Sequence, residues 1–343
     1  MALSNDILSS TLRILVAEEV DNLHKAIPFF NEISNHGGVE TYNGGSRIDR
    51  PLILAEHSQI TQLTTGYEPV NLAVSDVLRH AQYNWNDFIA PIVITKKEEL
   101  SNRGERAIVA IAEARLKSVM GMLKREFEKQ IIANSSTVLT ELNTLNGSTA
   151  ASGSAGTGTN EGFLEANDAA LQTGIVGGLS KASFSSEFTN QYKDVGGALG
   201  TTNDIVDQLT EVYIECQNNS PSGTPNLILA SSASYRFYKQ ALFDVTRYMP
   251  EDTQDGGRLS LMYAGAKMFV DPFMPVGAGA NAISMYMLNT NFLKLVYDTE
   301  AYFTMGDFEN VTGYASRSAN IMTRVQLVTD HLKSQAILIN AET

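Results

Sequence analysis

The residues able to do acid–base, nucleophilic or metal chemistry are sparsely spread along this chain. Its five histidines, His24, His36, His57, His80 and His331, are scattered. No two have the four-residue spacing that places a pair of metal ligands on one helix face. Cys216 is the single cysteine, so no intrachain disulfide can form. Its setting, Val212-Tyr213-Ile214-Glu215-Cys216, reads as a buried structural thiol and not a nucleophile. No G-x-S-x-G elbow and no phosphate-binding P-loop occurs. The glycines of 276–280 precede a strand where a dinucleotide site would open a helix. Those of 147–162 are followed by no lysine. The acidic pairs Asp204/Asp207 and Glu251/Asp252 read as a helix start and a solvated loop. These patterns assign no catalytic, cofactor-binding or metal residue, and the expectation is a protein without catalysis.

Charge narrows the partners. The 343 residues carry a formal net charge of −13, whereas a nucleic-acid groove concentrates Lys and Arg on one face. The one dense basic run, Lys124-Arg125 to Lys129, is interleaved with Glu126 and Glu128, as paired charges on a helix surface would be. Tyr83 and Trp85 could stack on bases but lack accompanying positive charge; a strand core is the plainer reading. An apolar fraction of 43% permits a sizeable core. There is no apolar run long enough for a membrane span. Asp6 and Glu18-Glu19 interrupt the N-terminal apolar pattern, unlike a signal peptide. The expectation is a soluble protein made in a reducing cytoplasm.

The elements around these residues are more informative. Residues 5–27 show an amphipathic stripe, Leu8, Leu12, Leu15, Leu23 and Ile27, stopped by Pro28. A long extended stretch, 38–95, folds back near Thr64-Thr65-Gly66, and Ala81, Tyr83 and Trp85 alternate with polar residues on its return side. A ribbon of this kind is marginal alone in water, so it must lie on something else. One amphipathic helix is expected over 98–134, with Ile108, Ile111, Leu116, Val119, Leu123, Phe127 and Ile131 on one stripe. As a single rod it would reach roughly 55 Å. Residues 147–162 read as a flexible Gly/Ser-rich loop. Beyond 163 the texture is α+β: a helix over 203–217, a strand at 225–230, a helix over 232–241, and strands at 261–270, 284–288, 291–296, 321–328 and 335–339.

This order of segments resembles the major capsid proteins of tailed bacteriophages, with their Hong Kong 97-type fold. Tyr83-Asn84-Trp85, Ile92-Val93-Ile94-Thr95 and Glu98-Glu99-Leu100-Ser101-Asn102-Arg103-Gly104-Glu105 are similar to that family's passage from extended loop to spine helix. Gly174-Ile175-Val176-Gly177-Gly178-Leu179, Pro225-Asn226-Leu227-Ile228-Leu229 with Tyr235 and Tyr238, Tyr263-Ala264-Gly265-Ala266 to Asp271-Pro272, and Met287-Leu288-Asn289-Thr290 resemble its later segments in order. The resemblance implies an N-terminal arm over 1–37, an extended β-loop over 38–95 and a spine helix of a peripheral domain over 96–135. An axial domain over 136–312 and C-terminal strands over 313–343, returning to the peripheral domain, complete it. It further implies a virion head protein assembling as hexamers and pentamers in the host bacterial cytoplasm. The icosahedral shell would enclose double-stranded DNA without sequence specificity. A portal at one vertex and a decoration or cement protein are further implied partners. Because the sequence opens directly on the arm, a separate scaffolding protein is expected.

Some relatives cross-link their loops through lysine. Here no lysine occurs from Gly37 to Thr95, and the loop's cations are Arg47, Arg50 and Arg79, which are poor nucleophiles. A shell without covalent links between subunits is expected, with these arginines meeting carboxylates of a neighbour. Three other readings stay open from the residues: an α+β enzyme with a mobile β-arm, a tail or baseplate protein, and an encapsulin compartment.

Overall fold

A 14-residue strand, β15 (Ser316–Thr329), organises half of the molecule. At roughly 3.3 Å per residue it spans about 46 Å, long enough to be paired piecewise along both edges. One edge carries β4 (Asn86–Thr95) over its first ten positions. The other carries in turn β14 (Glu309–Asn310), β13 (Thr304–Met305) and β12 (Leu293–Asp298). β1 (Val39–Tyr42) adds in parallel to β12. The computed structural model describes residues 28–55, 76–101, 163–165, 174–195, 205–243, 260–274 and 283–339, with shorter pieces at 62, 64, 66, 115–116, 119, 121–123, 126, 128–132 and 172.

A second six-stranded sheet runs in the order β7 (Gln191–Asp194), β16 (Ala336–Ile339), β11 (Ile283–Leu288), β8 (Leu227–Ala230), β10 (Ala266–Val270) and β9 (Ser260–Tyr263). Every residue of β8 is buried, because both faces of this sheet are covered and alternation is lost. Leu227 and Leu229 face the main core, whereas Ile228 and Ala230 join Met268, Met285 and Leu338 under two helices. Of these helices, the longer, Ile205–Asn218, contributes Leu209, Val212 and Cys216 to that layer, and the other, Ser232–Phe243, contributes Tyr235 and Tyr238. The stretch expected as one strand over 261–270 is a hairpin, turning at Ala264-Gly265 with both φ positive.

Several expected boundaries move. Pro28 opens a helix, Pro28–Asn35, where it was expected to end one; a proline suits the first helical position, whose N–H has no partner anyway. Phe29 and Ile33 of this helix are fully buried in the main core, so residues 28–35 belong to the body and not to an arm over 1–37. Residues 1–27 lie outside the described residues. The C-terminal strands also part company. β15 lies in the first sheet, but β16 pairs β7 and β11 in the second, so 313–343 does not return as one unit.

The helix after Thr95 starts as expected, at Lys96–Ser101. Thr95 caps it: Thr95 N–H and Oγ1–H donate to Glu98 Oε2 at 3.1 and 2.8 Å, and Glu98 N–H donates to Thr95 Oγ1 at 3.4 Å. A single straight rod does not follow. Arg115 bonds the Glu98 carboxylate and the Val93 carbonyl, whereas a continuous helix would separate residues 98 and 115 by roughly 25 Å. The described positions from 115 to 132 are helical again, with Leu116, Ile131 and Ile132 buried and Val119 and Leu123 packed against the main core. Of the expected stripe, Leu116, Val119, Leu123 and Ile131 face the core, and Ile108, Ile111 and Phe127 lie outside the described residues.

Candidate functional site

The extended segment resolves into three parts. β1 and β4 belong to the first sheet, and only β2 (Arg47–Ile53) with β3 (Leu78–Asn84) forms a free-standing ribbon. Its register pairs Arg47 with Asn84 and Ile53 with Leu78, a ladder centred between positions 65 and 66. The chain reverses between Leu54 and Val77; Thr65 of the expected Thr64-Thr65-Gly66 fold-back lies outside the described residues, and Gly66 has φ +77°.

One face of the ribbon lies on the body of its own chain, the support that a two-stranded ribbon needs in water. Ile48, Leu52, Ala81 and Tyr83 are buried in the main core. Tyr83 stands edge-on to Phe163, with centroids 6.3 Å apart, and its hydroxyl donates to the Thr329 carbonyl at 3.2 Å. The Gln82 N–H donates to the Gly177 carbonyl at 2.8 Å. Gly177 and Gly178 turn the hairpin of β5 (Ile175–Val176) and β6 (Leu179–Ser180), and both have positive φ. A Cβ on Gly177 would lie 2.9 Å from Ala81 Cβ, so this hairpin can touch the ribbon only through glycine.

The other face is open, and at the far end it is apolar. Ile53 and Leu78 stand opposite each other and are 74% and 55% exposed. The ribbon's arginines find partners in their own chain: Arg50 bonds Glu40 and lies 3.7 Å from Asp330, Arg79 lies 2.7 Å from Asp76, and Arg47 donates to Gln82. The carboxylates expected from a neighbour are not needed to pair them.

Trp85 marks where the ribbon becomes sheet. Odd positions face inward in β3 and even positions in β4, so the phase flips between Trp85 and Asn86, both buried. Arg324 sits 5.5 Å above the Trp85 ring.

Beneath the ribbon lies a polar cluster that the sequence does not announce. Lys181 is fully buried; its Nζ donates to the Phe163 carbonyl at 2.7 Å and lies 3.3 Å from Glu165 Oε1 and 3.4 Å from Asn190 Oδ1. Burial lowers Lys181 to about 8, with Glu165 pulling the other way. Glu165, Lys181 and Asn190 are far apart in sequence, and only the fold brings them together.

The other residues weighed for chemistry do not converge. His36 lies 3.8 Å from Glu32, His80 is exposed, and His331 accepts from Ser334 N–H. Cys216 is buried, which pushes its thiol pKa upward and away from reactivity. Asp207 lies in the first turn of its helix, while Asp204, Glu251, Asp252, His24, His57, 147–162 and 276–280 lie outside the described residues. Glu126 meets Lys129 and Gln130 on the helix surface as expected, but Glu128 is buried, and Lys124 and Arg125 lie outside the described residues. Among the described residues, no three His, Cys, Asp or Glu gather as a metal site, and no helix is long and apolar enough to cross a membrane.

Solved structures share this architecture over most of their length. The capsid asymmetric unit of cyanophage A-1(L) matches with a TM-score of 0.55 at 14% identity, over 88% of this chain and 89% of that one. The chain has the phage-capsid fold. The capsid of an empty GTA particle gives 0.52 at 10% identity, over 89% of this chain and 95% of that one. The holo-SrpI encapsulin complex of Synechococcus elongatus PCC 7942 gives 0.52 at 13%, over 90% and 88%. No family profile matches the sequence, and no curated protein is similar to it.

Proposed function

We propose that this chain is a structural shell protein, the major capsid protein of a tailed phage, whose copies assemble as hexamers and pentamers into an icosahedral head around double-stranded DNA. The observation that carries the reading is the ribbon. It is anchored to its own subunit on one face and offers an exposed apolar end, Ile53 and Leu78, on the other. In a fold otherwise found in shells, such an end suits burial against a neighbouring copy. The helical positions from 115 to 132 and the first sheet correspond to the peripheral domain with its spine helix. The second sheet, with its two helices, corresponds to the axial domain, and residues 5–27 to an arm laid on an adjacent subunit.

The net charge of −13 supports loose, sequence-independent contact with packaged DNA. A separate scaffolding protein, a portal and a decoration protein are the partners such a shell would take, and the virion its location. Likeness to an encapsulin complex keeps one alternative, a protein-filled compartment. Electron microscopy of particles purified from cells making the chain, with nuclease-protected DNA measured in parallel, tests both. Closed shells holding DNA support the phage reading; shells holding a protein cargo favour the alternative; small open oligomers overturn both.

A further inference from the structure

Among the described residues Lys181 is the only buried lysine, and what surrounds it is reactive as well as polar. Its amine has an amide carbonyl on one side and a carboxylate on the other, at 3.4 Å and 3.3 Å. The amide is held rigidly. Asn190 Oδ1 accepts from the Glu165 N–H at 2.8 Å, and Nδ2 donates to the carbonyls of Glu165 at 3.0 Å and Gln191 at 2.9 Å. Gln172 brackets the Asn190 backbone, donating to its carbonyl at 2.8 Å and accepting from its N–H at 3.0 Å. These backbone partners leave the amide no freedom to flip. They also point a fixed N–H donor at the oxygen where charge would build if the carbonyl carbon were attacked. Glu165, Lys181 and Asn190 are all buried from solvent.

We propose that Lys181 and Asn190 join in an intrachain isopeptide bond, with Glu165 as the proton carrier. Glu165 takes one proton from the ammonium, and the neutral Nζ attacks Asn190 Cγ. The oxyanion at Oδ1 is held by the Glu165 N–H. The Cγ–Nδ2 bond breaks, and the two protons that leave Nζ travel through the Glu165 carboxylate to the departing nitrogen, which exits as ammonium. Glu165 returns to its carboxylate form, and no oxidant, metal or co-reactant is required. The remaining Nζ–H can keep its bond to the Phe163 carbonyl, while the carbonyls served by Nδ2 lose that donor. The perturbed lysine is consistent with the first step, since its lowered pKa enlarges the neutral, nucleophilic fraction. The bond would close the short loop from 181 to 190 beneath the ribbon and does not depend on whether the protein forms a phage head.

Mass spectrometry of the full-length folded chain, denatured after incubation, tests the idea directly. The expected intact mass is lower than the sequence value by one ammonia, and trypsin leaves residues 130–193 as a single piece uncut after Lys181. Glu165→Gln, checked for folding by circular dichroism, should restore both the sequence mass and cleavage after Lys181. A folded wild-type chain at the sequence mass, cleaved after Lys181, overturns the proposal. So does a loss of ammonia with that cleavage retained, which would report a cyclic imide at an asparagine instead.

Discussion

Arg115 pairs with Glu98 across 17 residues of sequence and also bonds the Val93 carbonyl, tying the second helical piece to the start of the first and to strand β4. This tie joins the first sheet, through β4, to the helical layer, so strain in one is felt by the other.

Its pH dependence follows from Glu98. Hydrogen bonds from Thr95, then from Arg115, lower this carboxyl from 4.5 to about 2. A depressed folded pKa means a contribution to stability that is present above 4.5 and is lost as pH falls towards 2. Urea midpoints of wild type and Glu98→Gln should therefore differ at neutral pH and converge across that acid window. Thr95→Ala should cost about 1 kcal/mol at neutral pH through the lost cap.

The hairpin under the ribbon separates strain from collision. Gly178→Ala meets open space but keeps a φ of +74°, and should cost about 1–2 kcal/mol. Gly177→Ala adds the approach to Ala81 and Tyr83, and should cost about 1–3 kcal/mol more. Thermal unfolding of the two variants gives the comparison; equal losses would mean the ribbon is not seated on Gly177.

Trp85→Ala should destabilise the isolated subunit by about 3–5 kcal/mol, the range for deleting a large buried aromatic. Tyr83→Phe, which loses the bond to the Thr329 carbonyl, should cost about 1 kcal/mol. Denaturant titrations of the soluble chain measure both.

At the ribbon's far end the expectation reverses. Ile53→Asp and Leu78→Asp alter exposed side chains and should leave subunit stability within about 0.5 kcal/mol. Shell yield, counted by sedimentation and microscopy, should fall sharply. Normal yield from both variants would remove the ribbon tip from the assembly contacts.

No lysine lies between Gly37 and Thr95, and Arg50 and Arg79 are engaged within their own chain. Assembled particles boiled in reducing detergent should release one band near 37.3 kDa. An isopeptide within the chain would not change that band's multiplicity, whereas a ladder of multimers would contradict the expectation.

What the sequence determined by itself is the local grammar. The inward alternation of Ala81 and Tyr83, the helix start after Thr95, the helix near 205–218 and the apolar run of β8 all follow from periodicity and end signals carried by adjacent residues. Tertiary structure decided whatever depends on residues meeting across the chain. Periodicity alone could not show that Arg115 returns to Glu98, because the pairing joins residues 17 apart in sequence. β16 is apolar enough for either sheet, and only the burial available beside β7 and β11 selects the second. Nothing in the sequence around Lys181 singles it out. It becomes a buried, perturbed amine because Phe163, Glu165 and Asn190 converge on it from separate segments, and a site assembled from such segments has no spacing for a sequence to display.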